Sequence, residues 1–325
     1  MRRREFLTLL SGAAAIWPFT ALAQKSSGVR RVAWLGLGRG DSPSPYLEGL
    51  RAGLSESGWV EGRNLTLSLY WATGRDDMDA VARSLVASDP EVIVTQELMT
   101  YAVQPLNPKC PVIFGFSGDP VTGKLVQSLA RPGGNFTGMS YLAIDLVGKR
   151  IELLKEWLPD IRRLAILARP QHPGEDRERQ ASQAAAEKVG LAISYLPFRD
   201  APELDGIFNS VVQDRCDSVV VFPDTAMWGM VGRISRFAIE AKLPTVSGWG
   251  RFAESGLLLT YGPNLRELYR SLGHYVDRTL RGTKPADLPV ELPSKFELVI
   301  NQKTAKAIGL TVPPTLIARA DQVVD

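Results

Sequence analysis

The chain contains few of the residues that build metal centres, disulfide frameworks and acid–base active sites. Its 325 residues include two histidines, His172 and His274, and two cysteines, Cys110 and Cys216. Neither histidine stands in a metal-ligand spacing, so no metal site is expected. Cysteines so far apart in the chain do not make a disulfide scaffold, and we expect two buried free thiols.

The chain also lacks a strong charge of either sign. Its 38 Lys and Arg residues nearly balance 35 Asp and Glu residues, for a formal net charge of +3. This balance gives no electrostatic reason to expect nucleic acid or an anionic membrane as a partner. A hydrophobic content of 45% allows a sizeable core, and the length of the chain suggests two domains.

The first 23 residues have the pattern of an export signal. Arg2–Arg4 form a positive start, Leu9–Leu22 form an apolar run, and Ala21–Ala23 supply small residues for cleavage after about Ala23. Arg3–Leu7 fits a twin-arginine pattern, while an ordinary Sec signal is the alternative. A membrane anchor is disfavoured because the run is short and Pro18 interrupts it. We therefore expect the mature protein in the periplasm.

The remaining residues alternate between buried strands and amphipathic helices. Apolar runs that end in polar or glycine-rich segments indicate strands, and apolar positions at helical spacing indicate helices. The first half gives strands at Arg31–Leu37, Leu65–Trp71, Glu91–Thr95 and Pro111–Phe116, and helices at Pro45–Ser57 and Met78–Ala87.

The same pattern starts again in the second half of the chain. Three predicted strands recur in the same order at offsets of 127 to 133 residues. The pairs are Arg30–Leu35 with Arg162–Leu167, Glu91–Thr95 with Ser218–Phe222, and Pro111–Ile113 with Pro244–Val246. This repetition predicts two α/β units, each with a parallel sheet flanked by helices.

A tail follows the second unit. Asn264 is placed to cap a helix that runs through Arg281, with Glu267 as its partner in a capping box. A strand at Phe296–Ile300 and a short helix at Gln302–Ile308 come next. These elements are expected to return the chain across a hinge between the units.

Three glycine-rich stretches approach enzyme motifs, but each lacks a residue that its chemistry requires. Gly118–Leu125 resembles a phosphate loop, yet Leu125 offers no hydroxyl to magnesium. Gly36–Gly40 follows a strand like a dinucleotide loop, but Asp41 stands where the third glycine belongs. Gly115–Asp119 resembles a hydrolase elbow that would need one of the two histidines. We predict no catalytic residue and no cofactor, and keep an exported hydrolase as an alternative.

Longer and more specific motifs resemble one family. They are Phe116–Val121 with Leu125–Gly138, Gly256–Pro263, Tyr275–Asp277, Lys284–Glu291 and Lys295–Asp321. These stretches are similar to the ABC transporter substrate-binding family related to tryptophan-binding proteins, and the similarity covers essentially the whole mature chain. The family often carries small residues after the Thr95 strand, where this chain has Gln96–Met99.

The resemblance implies the fold of a type I periplasmic binding protein. Such a protein is α/β, with two Rossmann-like lobes of parallel sheet and a ligand cleft at a three-crossover hinge. We expect residues 24–140 plus about 264–290 to form the N-terminal lobe. Residues 141–263 plus about 291–325 are expected to form the C-terminal lobe.

Side chains beyond the carboxyl ends of the strands are the candidate ligand contacts. Free N–H groups at helix starts favour a carboxylate, and the candidates there are Ser42, Ser44, Thr95 and Ser117. Aromatic rings stack on flat ligands, and the candidates are Phe116, Tyr141, Trp228, Trp249 and Tyr261. Phe116 and Tyr261 have core or hinge packing as their alternative role.

Asp224 is the first candidate partner for an ammonium group because it follows the predicted strand Ser218–Phe222. Glu97 and Asp119 compete with it, and helix capping is the alternative role of all three. Gln96 and Pro170 complete the candidate set.

The resemblance also implies a function. A protein that resembles this family is expected to be the solute-binding component of an ABC importer. We expect it to act as a monomer that delivers a small carboxylate-bearing solute to a permease in the inner membrane. The aromatic candidates favour an aromatic amino acid or aromatic acid, and branched aliphatic amino acids are the nearest alternative.

Overall fold

The computed structural model describes residues 28–40, 44–170, 172 and 174–325. The expected signal peptide and the candidate Ser42 lie outside these described residues. Within the described ranges, no helix combines the length and apolar character that crossing a membrane requires.

The first half of the chain forms one parallel sheet. Its elements are β1 (Arg30–Leu37), α1 (Pro45–Glu56), β2 (Leu65–Ala72), α2 (Arg75–Ala87), β3 (Val92–Gln96), α3 (Met99–Val103), β4 (Val112–Phe116) and β5 (Phe136–Ser140). The strand order is β2-β1-β3-β4-β5. Every strand and helix predicted for this half is confirmed to within a few residues, and β5 was not predicted.

The rest of the chain forms a second sheet and one helix that leaves it. The elements up to the tail are α4 (Val147–Trp157), β6 (Arg163–Ala168), α5 (Glu175–Lys188), β7 (Ala192–Pro197), α6 (Leu204–Gln213), β8 (Ser218–Val221), α7 (Val231–Glu240), β9 (Thr245–Ser247), α8 (Gly250–Glu254) and β10 (Leu259–Pro263). The tail consists of α9 (Leu265–Leu280), β11 (Phe296–Asn301), α10 (Gln302–Ala307), α11 (Pro314–Ile317) and β12 (Gln322–Val324).

The strand order of the second sheet confirms the repeat that the sequence predicted. Reading from the opposite edge, the order is β7-β6-β8-β9-β10-β11-β12. The strands β6, β8 and β9 therefore occupy the positions that β1, β3 and β4 hold in the first sheet. One feature differs from the expected parallel sheet, because β11 runs antiparallel to β10. The chain re-enters this sheet from the first lobe and so runs in the opposite direction.

Helix α9 belongs to the first lobe although it follows the second sheet. Asn264 Oδ1 accepts a hydrogen bond from the Glu267 N–H at 3.1 Å, which confirms the predicted cap. The Glu267 carboxylate accepts from Arg270 Nη1 at 2.8 Å instead of completing the predicted capping box. Gly53 of α1 meets the backbone of α9 so closely that a β-carbon there would lie 1.9 Å from the carbonyl oxygen of Arg270. The absence of side chains at such positions lets the two helices pack backbone to backbone.

The chain passes between the lobes three times. It leaves the first sheet after β5, returns to it at α9, and pairs with it again where the Glu291 N–H donates to the Gly138 carbonyl at 3.0 Å. It then enters the second sheet as β11. We propose the lobe boundaries as the sequence predicted them, with changes of lobe near residues 140, 263 and 290.

Candidate ligand-binding site

The carboxyl edges of the two sheets face each other, and the lobes touch there. The Tyr46 hydroxyl and Gln96 Nε2 from the first lobe each lie 3.3 Å from Thr225 Oγ1 in the second lobe. Arg177 of the second lobe forms an ion pair with Asp119 of the first. These contacts close the cleft between the lobes.

Five rings fill one part of this cleft, and we call them the aromatic cluster: Tyr46, Tyr141, Trp228, Trp249 and Tyr269. Tyr46 stacks on Trp228 with ring centroids 5.1 Å apart and planes inclined by 21°. Its edge meets Tyr269 at 4.8 Å and Trp249 at 6.5 Å. The cluster belongs to one continuous apolar region that includes residues from one face of each sheet.

The two tryptophans of the cluster have unused polar atoms. Trp249 is 1% exposed, and its indole N–H has no hydrogen-bond partner among the described residues. The Trp228 indole N–H is likewise buried without a partner in that part of the chain. A buried donor without an acceptor is unfavourable, so both groups are available to a ligand that carries acceptor atoms.

A chain of polar and charged side chains crosses the cleft beside the aromatic cluster. Ser117 donates from its N–H at 3.1 Å and from its hydroxyl at 2.6 Å to Glu97 Oε2. Ser117 Oγ lies 3.5 Å from His172 Nε2 on the other lobe. His172 Nε2 lies 3.1 Å from Glu178 Oε2, and Arg150 Nη1 lies 3.7 Å from Glu178 Oε1.

The pKa values of Glu97 and His172 in this chain of residues differ from their ordinary values. Burial raises the pKa of Glu97 from 4.5 to about 7, although the charge of His172 and the hydrogen bond from Ser117 oppose the shift. Burial lowers the pKa of His172, but the hydrogen bond and charge of Glu178, together with the charges of Asp224 and Glu97, raise it overall to about 9. His172 is therefore an imidazolium near neutral pH, and Glu97 is divided between its two protonation states.

The geometry around His172 differs from that of a serine–histidine–acid triad. In a triad the serine and the acid contact opposite ring nitrogens. Here Ser117 and Glu178 both contact Nε2, while Nδ1 is buried without a hydrogen-bond partner among the described residues. The hydroxyl of Ser117 also donates to Glu97. In the described residues, no group of three His, Cys, Asp or Glu side chains is arranged to hold a metal ion.

Asp224, the predicted partner for an ammonium group, has two partners within the protein. Asp224 Oδ2 lies 3.2 Å from Arg169 Nε, and Asp224 Oδ1 accepts from the Ala226 N–H at 2.9 Å. The second contact caps the short 3-10 turn Thr225–Gly229. The capping role that the sequence offered as the alternative is thus observed, and the ligand role of Asp224 stays a prediction.

A cavity of about 20 Å³ lies between the two strand edges. Gln96, Glu97, Arg169, His172 and Asp224 line it together with a few smaller or apolar groups. A cavity of this size holds about one water molecule. A larger ligand therefore enters this small cavity only when the lobes move apart, whereas a cavity of about 390 Å³ lies on the other side of Trp228 and Trp249.

The structure brings some of the predicted residues to the cleft and puts others around it. Gln96 and Asp224 line the small cavity, and Tyr141 and Trp249 belong to the aromatic cluster. Ser117 and Asp119 line a neighbouring cavity of about 310 Å³ at the side of the hinge. Ser44 accepts a bond from the Leu47 N–H at the start of α1.

The remaining predicted residues pack inside one lobe or lie at its surface. Thr95 Oγ1 is 2.9 Å from Thr100 Oγ1 within the first lobe. Phe116 packs in a small apolar cluster of that lobe, and Tyr261 packs against the core of the second lobe. Pro170 is exposed beside Arg169.

Sequence reasoning did not identify Tyr46, Arg169, Glu178 or Arg150 as parts of this site. Tyr46 and Arg169 each lie in or beside a segment that follows a strand. The rule that ligands bind beyond the carboxyl ends of parallel strands, here called the strand-end rule, could therefore have identified both. Glu178 and Arg150 lie inside helices α5 and α4. No local pattern marks these two, because their role depends on how α4, α5 and the cleft pack together.

Comparisons with known proteins agree with this architecture. A model of the family described as ABC transporter substrate binding protein matches residues 34–324. A tyrosine-binding protein from Clostridioides difficile strain R20291 is 25% identical over 268 residues, which are 81% of this chain and 76% of that protein.

Two solved structures have the same fold. A conserved domain protein from Vibrio cholerae is 25% identical with a TM-score of 0.85, covering 91% of this chain and 99% of that one. An ABC domain from Streptococcus pneumoniae in complex with L-Trp is 24% identical with a TM-score of 0.83 and the same coverage. With the family match over nearly all described residues, the chain belongs to the ABC transporter substrate-binding protein family and has its two-lobed, type I α/β fold.

Proposed function

We propose that this chain captures an aromatic amino acid or aromatic acid in the cleft between its lobes and delivers it to an ABC permease in the inner membrane. The observation that carries the proposal is the aromatic cluster at the facing strand edges, with two buried indole N–H groups free for a ligand. Stacked rings bind flat ligands and exclude water. The tyrosine-binding relative and the L-Trp complex support the same ligand class.

Export is part of the proposal. A solute-binding component of an importer works outside the inner membrane, which agrees with the signal pattern in residues 1–23. We propose that cleavage after about Ala23 releases a monomer into the periplasm. Intact-mass analysis of a periplasmic fraction tests this, and protein that retains Met1–Ala23 in the cytoplasm would contradict it.

Binding requires a hinge motion. The cavity of about 20 Å³ cannot hold an aromatic amino acid, so for a ligand that reaches it the lobes separate and close again. Ligand then replaces some of the contacts that now join the lobes, among them the contact between Tyr46 and Trp228. The protein should bind its solute without changing it chemically.

The test is calorimetry of the purified protein with L-tyrosine, L-tryptophan and L-phenylalanine against L-leucine and L-isoleucine. We expect the aromatic set to bind more tightly, and Trp228→Leu to weaken it by about 1–3 kcal/mol, the usual contribution of a buried ring. Trp59→Leu is the matched control because Trp59 lies beyond the opposite end of α1, where its indole N–H bonds Asp277.

Three results would contradict the proposal in different ways. Tighter binding of the aliphatic set would favour a branched aliphatic amino acid as the ligand. Equal loss in Trp228→Leu and Trp59→Leu would assign Trp228 to packing alone. Conversion of a solute, followed by mass spectrometry of the incubated mixture, would favour the exported hydrolase.

A further inference from the structure

Glu97 is a buried acid at the carboxyl end of β3, on the first-lobe side of the cleft. It is 4% exposed and lines the cavity of about 20 Å³. Its backbone has a φ of 48°, in the left-handed region that a residue with a β-carbon enters at a cost. The Glu97 carboxylate is therefore held at the cleft by a left-handed backbone conformation that is unfavourable for glutamate.

The two oxygens of Glu97 are used differently. Oε2 accepts both the N–H and the hydroxyl of Ser117. Oε1 is buried and has no hydrogen-bond partner among the described residues. A half-satisfied carboxylate in a closed cavity is a strong acceptor for a donor that a ligand supplies.

Glu97 also occupies the place that a ligand carboxylate would need at Ser117. Both donors of Ser117 point at Glu97 Oε2, so a second carboxylate at Ser117 would meet a like charge at hydrogen-bond distance. This excludes the carboxylate role that the sequence suggested for Ser117 whenever Glu97 is ionised. The first-lobe side of the cavity thus accepts hydrogen bonds and does not offer them to an anion.

Gln96 adds a second acceptor beside Glu97. Its Nε2 donates to Thr225 Oγ1, which leaves its carbonyl oxygen buried and without a partner in the described residues. An ammonium group has three donors and about the size of a water molecule, which is the size of the cavity. Asp224 is less suited to this role because Arg169 and the Ala226 N–H already use its oxygens.

We propose that Glu97, with the Gln96 carbonyl beside it, binds the ammonium group of the ligand, and that the solute is accordingly a primary amine. Asp224 then serves as the counter-ion that holds Arg169 at the cleft. This inference rests on the proposed solute-binding function but not on the aromatic character of the solute.

Protonation of Glu97 provides an independent readout. An ammonium group bound at Glu97 favours the carboxylate, so amine binding near pH 7 should release a proton from this residue. Other titratable or charged groups also face it or its cavity: His172, Arg169, Asp224, Tyr46, Tyr101, Tyr141 and Tyr269. The variant Glu97→Gln identifies which part of the release belongs to Glu97.

The experiment compares three probes that differ only in their charged groups: L-tyrosine, tyramine and 3-(4-hydroxyphenyl)propionate. Calorimetry in two buffers of different ionisation enthalpy gives both the affinity and the proton release. A charge-assisted hydrogen bond contributes enough that Glu97→Gln should weaken tyrosine and tyramine by about 10- to 150-fold. The same variant should bind the propionate no more weakly than the wild type does, and should release no proton.

Asp224→Asn is the matched control, since it removes one partly buried charge of the same sign from the same cavity. It should weaken tyrosine and tyramine much less than Glu97→Gln does, because Arg169 and the Ala226 N–H already use the oxygens of Asp224. Circular dichroism and thermal unfolding verify that both variants are folded.

Two results overturn the inference: unchanged tyramine affinity in Glu97→Gln, or equal losses for tyramine and the propionate. If the wild type binds none of the three probes, the aromatic proposal fails. The comparison is then repeated with L-leucine, isoamylamine and 4-methylpentanoate. A wild-type protein that binds no amine from either set overturns the ammonium site itself.

Discussion

Tyr46 connects the two lobes through its ring, and replacing it should open the cleft. The residue lies in the first turn of α1, is 1% exposed and contacts rings from both lobes. Its contact with Tyr269 stays within the first lobe, whereas its contacts with Trp228 and Trp249 cross the cleft. Tyr46→Ala therefore removes contacts that exist only while the lobes are closed.

The size of the effect follows from the two cross-cleft ring pairs. An aromatic pair contributes about 0.5–1.5 kcal/mol beyond its buried area. The pairs with Trp228 at 5.1 Å and with Trp249 at 6.5 Å thus favour the closed form by about 1–3 kcal/mol. Because 1.4 kcal/mol is a factor of ten, Tyr46→Ala should shift the equilibrium toward the open form by about 5- to 150-fold.

Small-angle X-ray scattering without ligand measures this shift, with Tyr46→Phe as the matched control. The phenylalanine keeps both ring pairs and loses only the hydroxyl that lies 3.3 Å from Thr225 Oγ1, a bond worth about 1 kcal/mol. Tyr46→Ala should have a larger radius of gyration than Tyr46→Phe at unchanged helix content. Identical scattering curves for the two variants would refute the role of this ring in closure.

Three further outcomes are expected. The pKa of His172 rises from 6.5 to about 9 on folding, so its contribution to stability is complete below pH 6.5 and is lost as pH rises through 9. Urea unfolding should show this fall in stability. A variant His172→Gln that shows the same fall would contradict the assignment to His172. Gly53→Ala should destabilise the fold by about 1–3 kcal/mol in thermal unfolding because its β-carbon would meet the Arg270 carbonyl oxygen, whereas Gly206→Ala, with open space around it, should not. Burial raises the pKa of Cys110 to about 11, so this thiol should react slowly with iodoacetamide near pH 8, and fast labelling of the folded protein would count against that burial.

Much of the fold was predictable because its signals are local. The run that became β1 is apolar on both faces, and its counterpart β6 repeats the pattern after a near-constant interval. Asn264 predicts the start of α9 because its cap involves only two residues, three positions apart in the sequence. By contrast, β5 is a five-residue segment with the sequence FTGMS, whose glycine and polar residues hide its buried position at the edge of the first sheet.

The candidate site was less predictable because its contacts cross between lobes. The strand-end rule places Glu97, Ser117 and Asp224 near the cleft, but it does not say which of them pair with each other. Glu97 takes both donors of Ser117, and Arg169 takes Asp224, only because β3 lies beside β4 and β6 beside β8. Strand order decides these two pairings, and lobe closure decides contacts such as that of Ser117 with His172. A short stretch of sequence contains information on neither.

The charges in the closed cleft are nearly balanced before any ligand arrives. Three acids, Glu97, Glu178 and Asp224, face three basic groups, Arg150, Arg169 and His172. The ion pairs of Arg150, Arg169 and His172 each lie within the second lobe, so their formation does not by itself favour closure. Removing such groups from water when the cleft closes costs about as much as their attraction returns. A ligand moves the equilibrium between the open and closed forms in proportion to its preference for the closed form. An ammonium group at Glu97 would supply that preference, because it satisfies a buried oxygen that the closed protein leaves without a partner.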